Sequence, residues 1–164
     1  MHTTIKLRAR KLAWTLLVGF AIVLTPQFGL AASKSNRCSV QVSPIIFPSY
    51  NPLKPSDTRA RGTITFNCTQ SSPIKVLLRY SEEGSGATRN MMSGASQLRY
   101  NLFLDAACQV IWGDGIGGSQ FYSNPSPPSN VNVTVPVYAR IPARQTKATH
   151  GVHKDAAIAV TIIY

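Results

Sequence analysis

Ala156-Ala157-Ile158-Ala159-Val160-Thr161-Ile162-Ile163-Tyr164 closes the 164-residue sequence and reads as a β-strand. Ile158, Val160, Ile162 and Tyr164 alternate with Ala157, Ala159, Thr161 and Ile163, so both faces are apolar and β-branched residues dominate, as in a strand deep inside a sheet. Such a strand needs two neighbours. No turn and no further strand follow it, so if the earlier strands provide only one neighbour, the expectation is that another polypeptide provides the second.

Working back from that end, Val131–Tyr138 (VNVTVPVY) is a clear alternating strand, and Leu98–Leu104 (LRYNLFL) turns Leu98, Tyr100, Leu102 and Leu104 to one face. Ile74–Tyr80 (IKVLLRY) follows a break at Pro73, Gly62–Thr69 (GTITFNCT) places Ile64, Phe66 and Cys68 together, and Gln109–Trp112 is a short extended piece. Cys38–Phe47 (CSVQVSPIIF) begins the series, with Pro44 marking a bulge or an edge position. Between them lie a turn-rich stretch (Pro48–Arg61), a small polar one (Ser81–Gln97) that Met91 and Met92 anchor, an irregular loop (Gly113–Asn130) and a basic connection (Ala139–Lys154). No stretch sustains a 3.6-residue apolar period, so helix content is low. About six principal strands with turn chemistry between them, one short of the seven in a complete sandwich, predict an all-β fold: an incomplete immunoglobulin-like β-sandwich lacking its last strand.

The beginning of the sequence reads as a signal that is removed. Lys6, Arg8, Arg10 and Lys11 form a cationic region, Ala13–Leu24 an apolar core of about 12 residues, and Gly29-Leu30-Ala31-Ala32 a small-residue cleavage site. That core is shorter than the roughly 20 residues of a membrane-spanning helix, so no membrane span is expected after cleavage. Residues 1–32 are read as the signal peptide and 33–164 as one exported domain. Four of the 17 basic residues lie in the signal, and the remaining 13 against 6 acidic residues leave a net +7. These cations are scattered, without interleaved aromatic residues, which argues for a solvated surface and against a nucleic-acid partner.

Cys38, Cys68 and Cys108 meet an oxidising compartment on export, so one disulfide is expected, with three pairings open and one thiol left over. No Cys or His spacing supports a metal site, and no cofactor is expected. Gly113-Asp114-Gly115-Ile116-Gly117-Gly118 has the spacing of a pyrophosphate cradle but no helix after it, so it reads as a turn beneath Trp112. His150 and His153 with Asp155 read as solvated loop residues; Ser123 and Ser129 lack a nucleophile elbow. Neither Asp105 with Asp114 nor Glu82 with Glu83 forms a supported acid–base pair, so no catalytic residue is assigned and the chain is not read as an enzyme.

The first strand with Ser43-Pro44-Ile45-Ile46-Phe47-Pro48-Ser49-Tyr50-Asn51-Pro52, then Gly62–Cys68, Arg89 with Met92 and Gly94, Leu98–Asp105, Trp112–Gly115, Tyr138–Ala143 and Val160–Tyr164 resemble the spore coat protein U domain family. The likeness runs in order through nearly all of the exported chain. It includes subunits of archaic, Csu-type chaperone–usher pili, and it implies an immunoglobulin-like domain without its final strand. It further implies a periplasmic chaperone that lends a strand, an outer-membrane usher, and neighbouring pilus subunits whose N-terminal extensions replace the lent strand. A coat or extracellular-matrix protein of the same family is the alternative.

The resemblance also implies a Cys38–Cys68 bridge and an acceptor groove bordered by Val40, Val42, Ile158, Val160, Ile162 and Tyr164. Cys108 departs from the family pattern, either as a buried free thiol or as an exposed one able to bridge to another chain. Only about five or six polar residues, within Ala32–Arg37, precede Cys38 once the signal is removed, too few for an alternating donor strand of roughly ten. The expectation is a protein that accepts a strand and donates none, at the tip of a fibre or as a minor subunit. Phe121 and Tyr122, with Pro125, Pro127 and Pro128, are read either as a loop folded back on the sandwich or as an exposed adhesive tip.

Overall fold

A computed structural model describes residues 35–79, 88–155 and 158–164, all within the compact unit Lys34–Tyr164. The signal read in residues 1–32 lies outside the described residues, as do Glu82 and Glu83. Eight strands and no helix occur among the described residues: β1 (Cys38–Val42), β2 (Thr58–Cys68), β3 (Ile74–Leu78), β4 (Arg89–Ser93), β5 (Ser96–Phe103), β6 (Tyr122–Asn124), β7 (Val133–Ile141) and β8 (Val160–Ile163). They form a five-stranded sheet of order β1-β2-β7-β5-β4 and a three-stranded sheet of order β6-β3-β8, with every ladder antiparallel.

Alternation decides which side chains enter the core between the sheets. Ile64, Phe66 and Cys68 of β2, Ile74, Val76 and Leu78 of β3, Leu98, Tyr100 and Leu102 of β5, and Val135, Val137, Ala139 and Ile141 of β7 are all buried. Their intervening neighbours point outward. Pro136 is tolerated inside β7 because it lies beyond the reach of β5, which pairs with β7 only from Tyr138 to Arg140. Trp112, fully buried, ties the layers together: its backbone N–H donates to Leu102 O of β5 (2.8 Å) and its indole N–H to Val76 O of β3 (3.0 Å).

Four readings of strand extent are corrected. β2 begins four residues earlier, at Thr58, where Arg59 and Arg61 alternate outward against β7. β1 leaves its ladder at Val42, after which Ser43 turns the chain across β2; a Cβ on Gly62 would stand 2.6 Å from Ile45 Cγ1 and 3.2 Å from Ser43 O, so that crossing requires glycine. Short strands β4 and β6 lie inside stretches read as connections. β8 spans four residues, with Tyr164 beyond it and Ala156 and Ala157 outside the described residues.

Candidate functional site

The two sheets are unequally finished at one side. Ile162 lies opposite Val76, and Val160 opposite Leu78, so all four share the core-facing side of the small sheet. Val76, between β6 and β8, and Leu78, between Gly113 and β8, are sealed from solvent; Val160 and Ile162, with β3 alone, are only half-buried. The large sheet repeats the asymmetry. Val40 lies opposite Phe66 and Val42 opposite Ile64, yet Phe66 and Ile64 are each 1% exposed while Val40 and Val42 are 41% and 54% exposed. Inward-facing apolar side chains on β1 and β8 therefore lack a covering element among the described residues.

Backbone hydrogen bonds outside the ladders join the two sheets. Leu78 N–H donates to Gly113 O, and Trp112 N–H to Leu102 O, so the 110–113 segment joins the β6 flank of the small sheet to β5. The other flank is β8, whose ladder is prolonged by Arg79 N–H donating to Ala159 O (3.0 Å). At the β4 edge, Met92 exchanges two backbone hydrogen bonds with Lys154 (2.7 and 2.9 Å). A bare strand edge beside a strip of valines and isoleucines can do one kind of chemistry: main-chain pairing with an extended segment, with alternate side chains of that segment filling the gap over the core.

A second opening reaches the core beside β4. A groove of about 690 Å³ runs between the segment 45–52 and the segment 148–154, and Met91, Leu98 and Ile141 form its floor. Ile45 and Phe47, half-buried, pack on its wall, and Phe47 meets Tyr100 edge-on with ring centroids 6.0 Å apart. Tyr100 donates its hydroxyl proton to Asp155, and burial first, then that bond, pushes its pKa far above the ordinary tyrosine value. These residues anchor the floor of the opening.

The remaining groups of interest serve architecture. Cys38 and Cys68 are joined by a disulfide across β1 and β2, their Cα atoms 4.1 Å apart in register. Arg89 is wholly buried, and its guanidinium donates to Arg79 O (2.8 Å) and Leu78 O (3.1 Å), clamping the end of β3 to β4. Cys108 is a buried free thiol whose pKa burial pushes upward. Asp105 accepts from the backbone of Val110 and Gln109, which holds its carboxyl below the usual range and closes the 105–110 turn. Gly115, Gly117 and Gly118 adopt positive φ in a turn that Ser119 closes, and His153 meets Ser96 Oγ at 3.0 Å. No group of three His, Cys, Asp or Glu among the described residues could hold a metal.

Of the two readings of Phe121 and Tyr122, the structure has the one in which the segment folds back on the sandwich. Tyr122 belongs to β6, opposite Val76, and its ring packs 6.3 Å from Phe66 and 6.1 Å from Trp112; Phe121 is half-buried under Lys75, whose Nζ lies 5.1 Å from the ring centroid. Glycine and proline content had suggested a loop, but aromatic burial makes this segment a strand. Arg89 was legible as a residue and not as a role, because nothing local marks an arginine as buried.

A family model described as Spore Coat Protein U domain matches residues 24–161. Among solved structures, the chain is similar to the chaperone–tip adhesion subunit pre-assembly complex of CsuC and CsuE from archaic chaperone-usher Csu pili of Acinetobacter baumannii, with a TM-score of 0.59 and 17% identity. That match covers 79% of this chain and 40% of the other, so the present chain spans well under half of the structure it resembles. No curated protein matches.

Proposed function

The chain belongs to the Spore Coat Protein U domain family, and from that premise we propose that it is an exported structural subunit of a surface pilus built by chaperone–usher donor-strand complementation. The observation that carries this reading is the pair of uncovered inward strips, Val40 with Val42 and Val160 with Ile162, beside strands whose own inward residues are sealed. A periplasmic chaperone first lays an extended segment along β8, and a neighbouring subunit's segment replaces it after delivery to an outer-membrane usher. The signal in residues 1–32 directs export to the periplasm, and the assembled fibre lies at the cell surface. The protein acts by being held in place, not by turnover.

A terminal position in the fibre has its own support. Asn36 donates to Ser72 Oγ (2.6 Å) and accepts from Gln70 N–H (3.2 Å), and Arg37 N–H donates to Thr69 Oγ1 (3.0 Å). The short stretch before Cys38 is thus engaged with its own domain, which fits a subunit that receives a strand and gives none.

Co-expression with a candidate periplasmic chaperone tests the reading. Wild type is recovered as a complex, whereas Val42→Asp/Ile162→Asp, which puts charge into the strip, lowers recovery at least tenfold, and the outward Thr65→Asp leaves it unchanged. A chaperone-free monomer that takes up no extended peptide would overturn the proposal. Self-assembly without chaperone or usher would favour a coat or matrix role instead.

A further inference from the structure

The outer face of the five-stranded sheet, turned away from the core, carries a second built feature. Gln97, Arg99 and Asn101 alternate outward along β5, and Arg140 does so on β7. Together with the loop that follows β7 they line a groove of about 700 Å³, to which Arg144 and Lys147 also contribute. Four cations from segments more than 40 residues apart in sequence converge there, and no acidic residue lines the groove among the described residues. Asp57 approaches from its rim, 3.7 Å from Arg140 Nε.

The loop bearing Arg144 and Lys147 is held in position. Beyond the last β5–β7 pair, Gln145 takes over as a strand would: its Oε1 accepts from Arg99 N–H and its Nε2 donates to Arg99 O, both at 2.8 Å. Gln145 N–H donates to the Tyr50 hydroxyl (2.8 Å), which donates onward to Pro142 O (3.0 Å). Arg144 sits at φ 59°, a strained value for arginine that this bracing maintains. Like charges brought together repel unless a counter-charge arrives, so a braced cluster of cations is arranged for an anion.

We infer that this groove binds an acidic polysaccharide, the cations pairing with its carboxylates and Gln97, Asn101 and Thr146 with its hydroxyls. Single-stranded nucleic acid fits poorly, because it needs exposed aromatic platforms. The groove's one aromatic, Tyr100, is buried with its hydroxyl committed to Asp155. The site lies on the face opposite the uncovered strips, so it stands free whether or not a strand is added there, and the inference does not rest on the proposed function.

Calorimetric titration of the full exported protein with alginate, neutral dextran and single-stranded DNA at low and moderate salt tests this. Alginate binds, weakening with salt, and dextran does not. Arg99→Ala/Arg144→Ala/Lys147→Ala lowers alginate affinity at least about tenfold, while Arg37→Ala/Lys54→Ala/Lys75→Ala, with the same loss of charge elsewhere, changes it less than about twofold. Gln145→Ala, which keeps every cation but releases the loop, gives an intermediate loss. Equal losses in both triple variants, tighter binding of DNA than of alginate, or no alginate binding at low salt would overturn the inference. Thermal melts confirm that each variant is folded.

Discussion

Val76 and Ile162 stand opposite one another in the β3–β8 ladder, on one face of one sheet, yet Val76 is sealed from water and Ile162 is half-buried. The difference is a neighbouring strand. Val76→Ala should therefore lower the stability of the free protein by roughly 2 kcal/mol, through lost burial and the cavity left behind. Ile162→Ala should cost less than about 1 kcal/mol in the free protein and visibly more once a donor peptide covers it. Urea unfolding with and without the peptide measures both, and an identical cost for Ile162→Ala in the two states would remove the covering strand.

The Cys38–Cys68 bridge closes a loop with a sequence separation of 30 and secures the edge strand β1, one margin of the acceptor side. On the chain-entropy account such a loop contributes roughly 3 to 4 kcal/mol. Cys38→Ser/Cys68→Ser should show a loss of that size in denaturant titration, and reductant should destabilise wild type but not the variant. Cys108, buried and unpaired, should react with a thiol reagent only after unfolding.

Arg89 makes its contribution through β3. Its guanidinium satisfies the carbonyls of Leu78 and Arg79 where that strand ends. Arg89→Met preserves much of the volume but leaves buried acceptors without donors, at about 1 to 3 kcal/mol each. Thermal denaturation should show Arg89→Met and Arg89→Lys both destabilised, since an ammonium lacks the planar fork that reaches two carbonyls.

Much of this was legible before any coordinates. β2, β5 and β7 alternate cleanly because each has one face on the core, and an all-β sandwich with an unfinished side follows from them. β4 escaped notice because its inward positions include a charged residue, Arg89, and β6 because Tyr122 is embedded among serine, proline and glycine. Alternation placed Val40 and Val42 on the same side as Cys38; their exposure depends on what lies across the core, which no local pattern encodes. The meeting of Arg99, Arg140, Arg144 and Lys147 was invisible for the same reason, since register between distant strands decides it.

Gly62 sets the geometry of the crossing from β1. An added methyl would press on Ile45 Cγ1 and approach Ser43 O, the segment that hydrogen-bonds Thr63 through Ser43 N–H (2.9 Å) and accepts from Thr63 N–H at Ser43 Oγ (2.7 Å). Gly62→Ala should destabilise by about 1 to 3 kcal/mol, the usual range for overpacking, and Gly62→Val by more. Urea midpoints compare the two.

Tyr100 and the buried Cys108 thiol, both raised, act on the alkaline side of the pH response, and Asp105, lowered, on the acid side. Tyr100, protonated in the fold and raised by burial and its bond to Asp155, contributes stability that is present below the unfolded tyrosine pKa of about 10 and lost as pH climbs beyond it. Asp105, lowered by the Val110 and Gln109 N–H donors, contributes stability that is present above the unfolded carboxylate pKa of about 4 and lost as pH falls through its lower folded value. Tyr100→Phe should flatten the alkaline limb of a stability profile, and Asp105→Asn the acid limb, each leaving the other limb unchanged. Urea midpoints taken from pH 3 to 11 in a Cys108→Ser background separate the two, and an alkaline limb that persists there in Tyr100→Phe would assign it to another group.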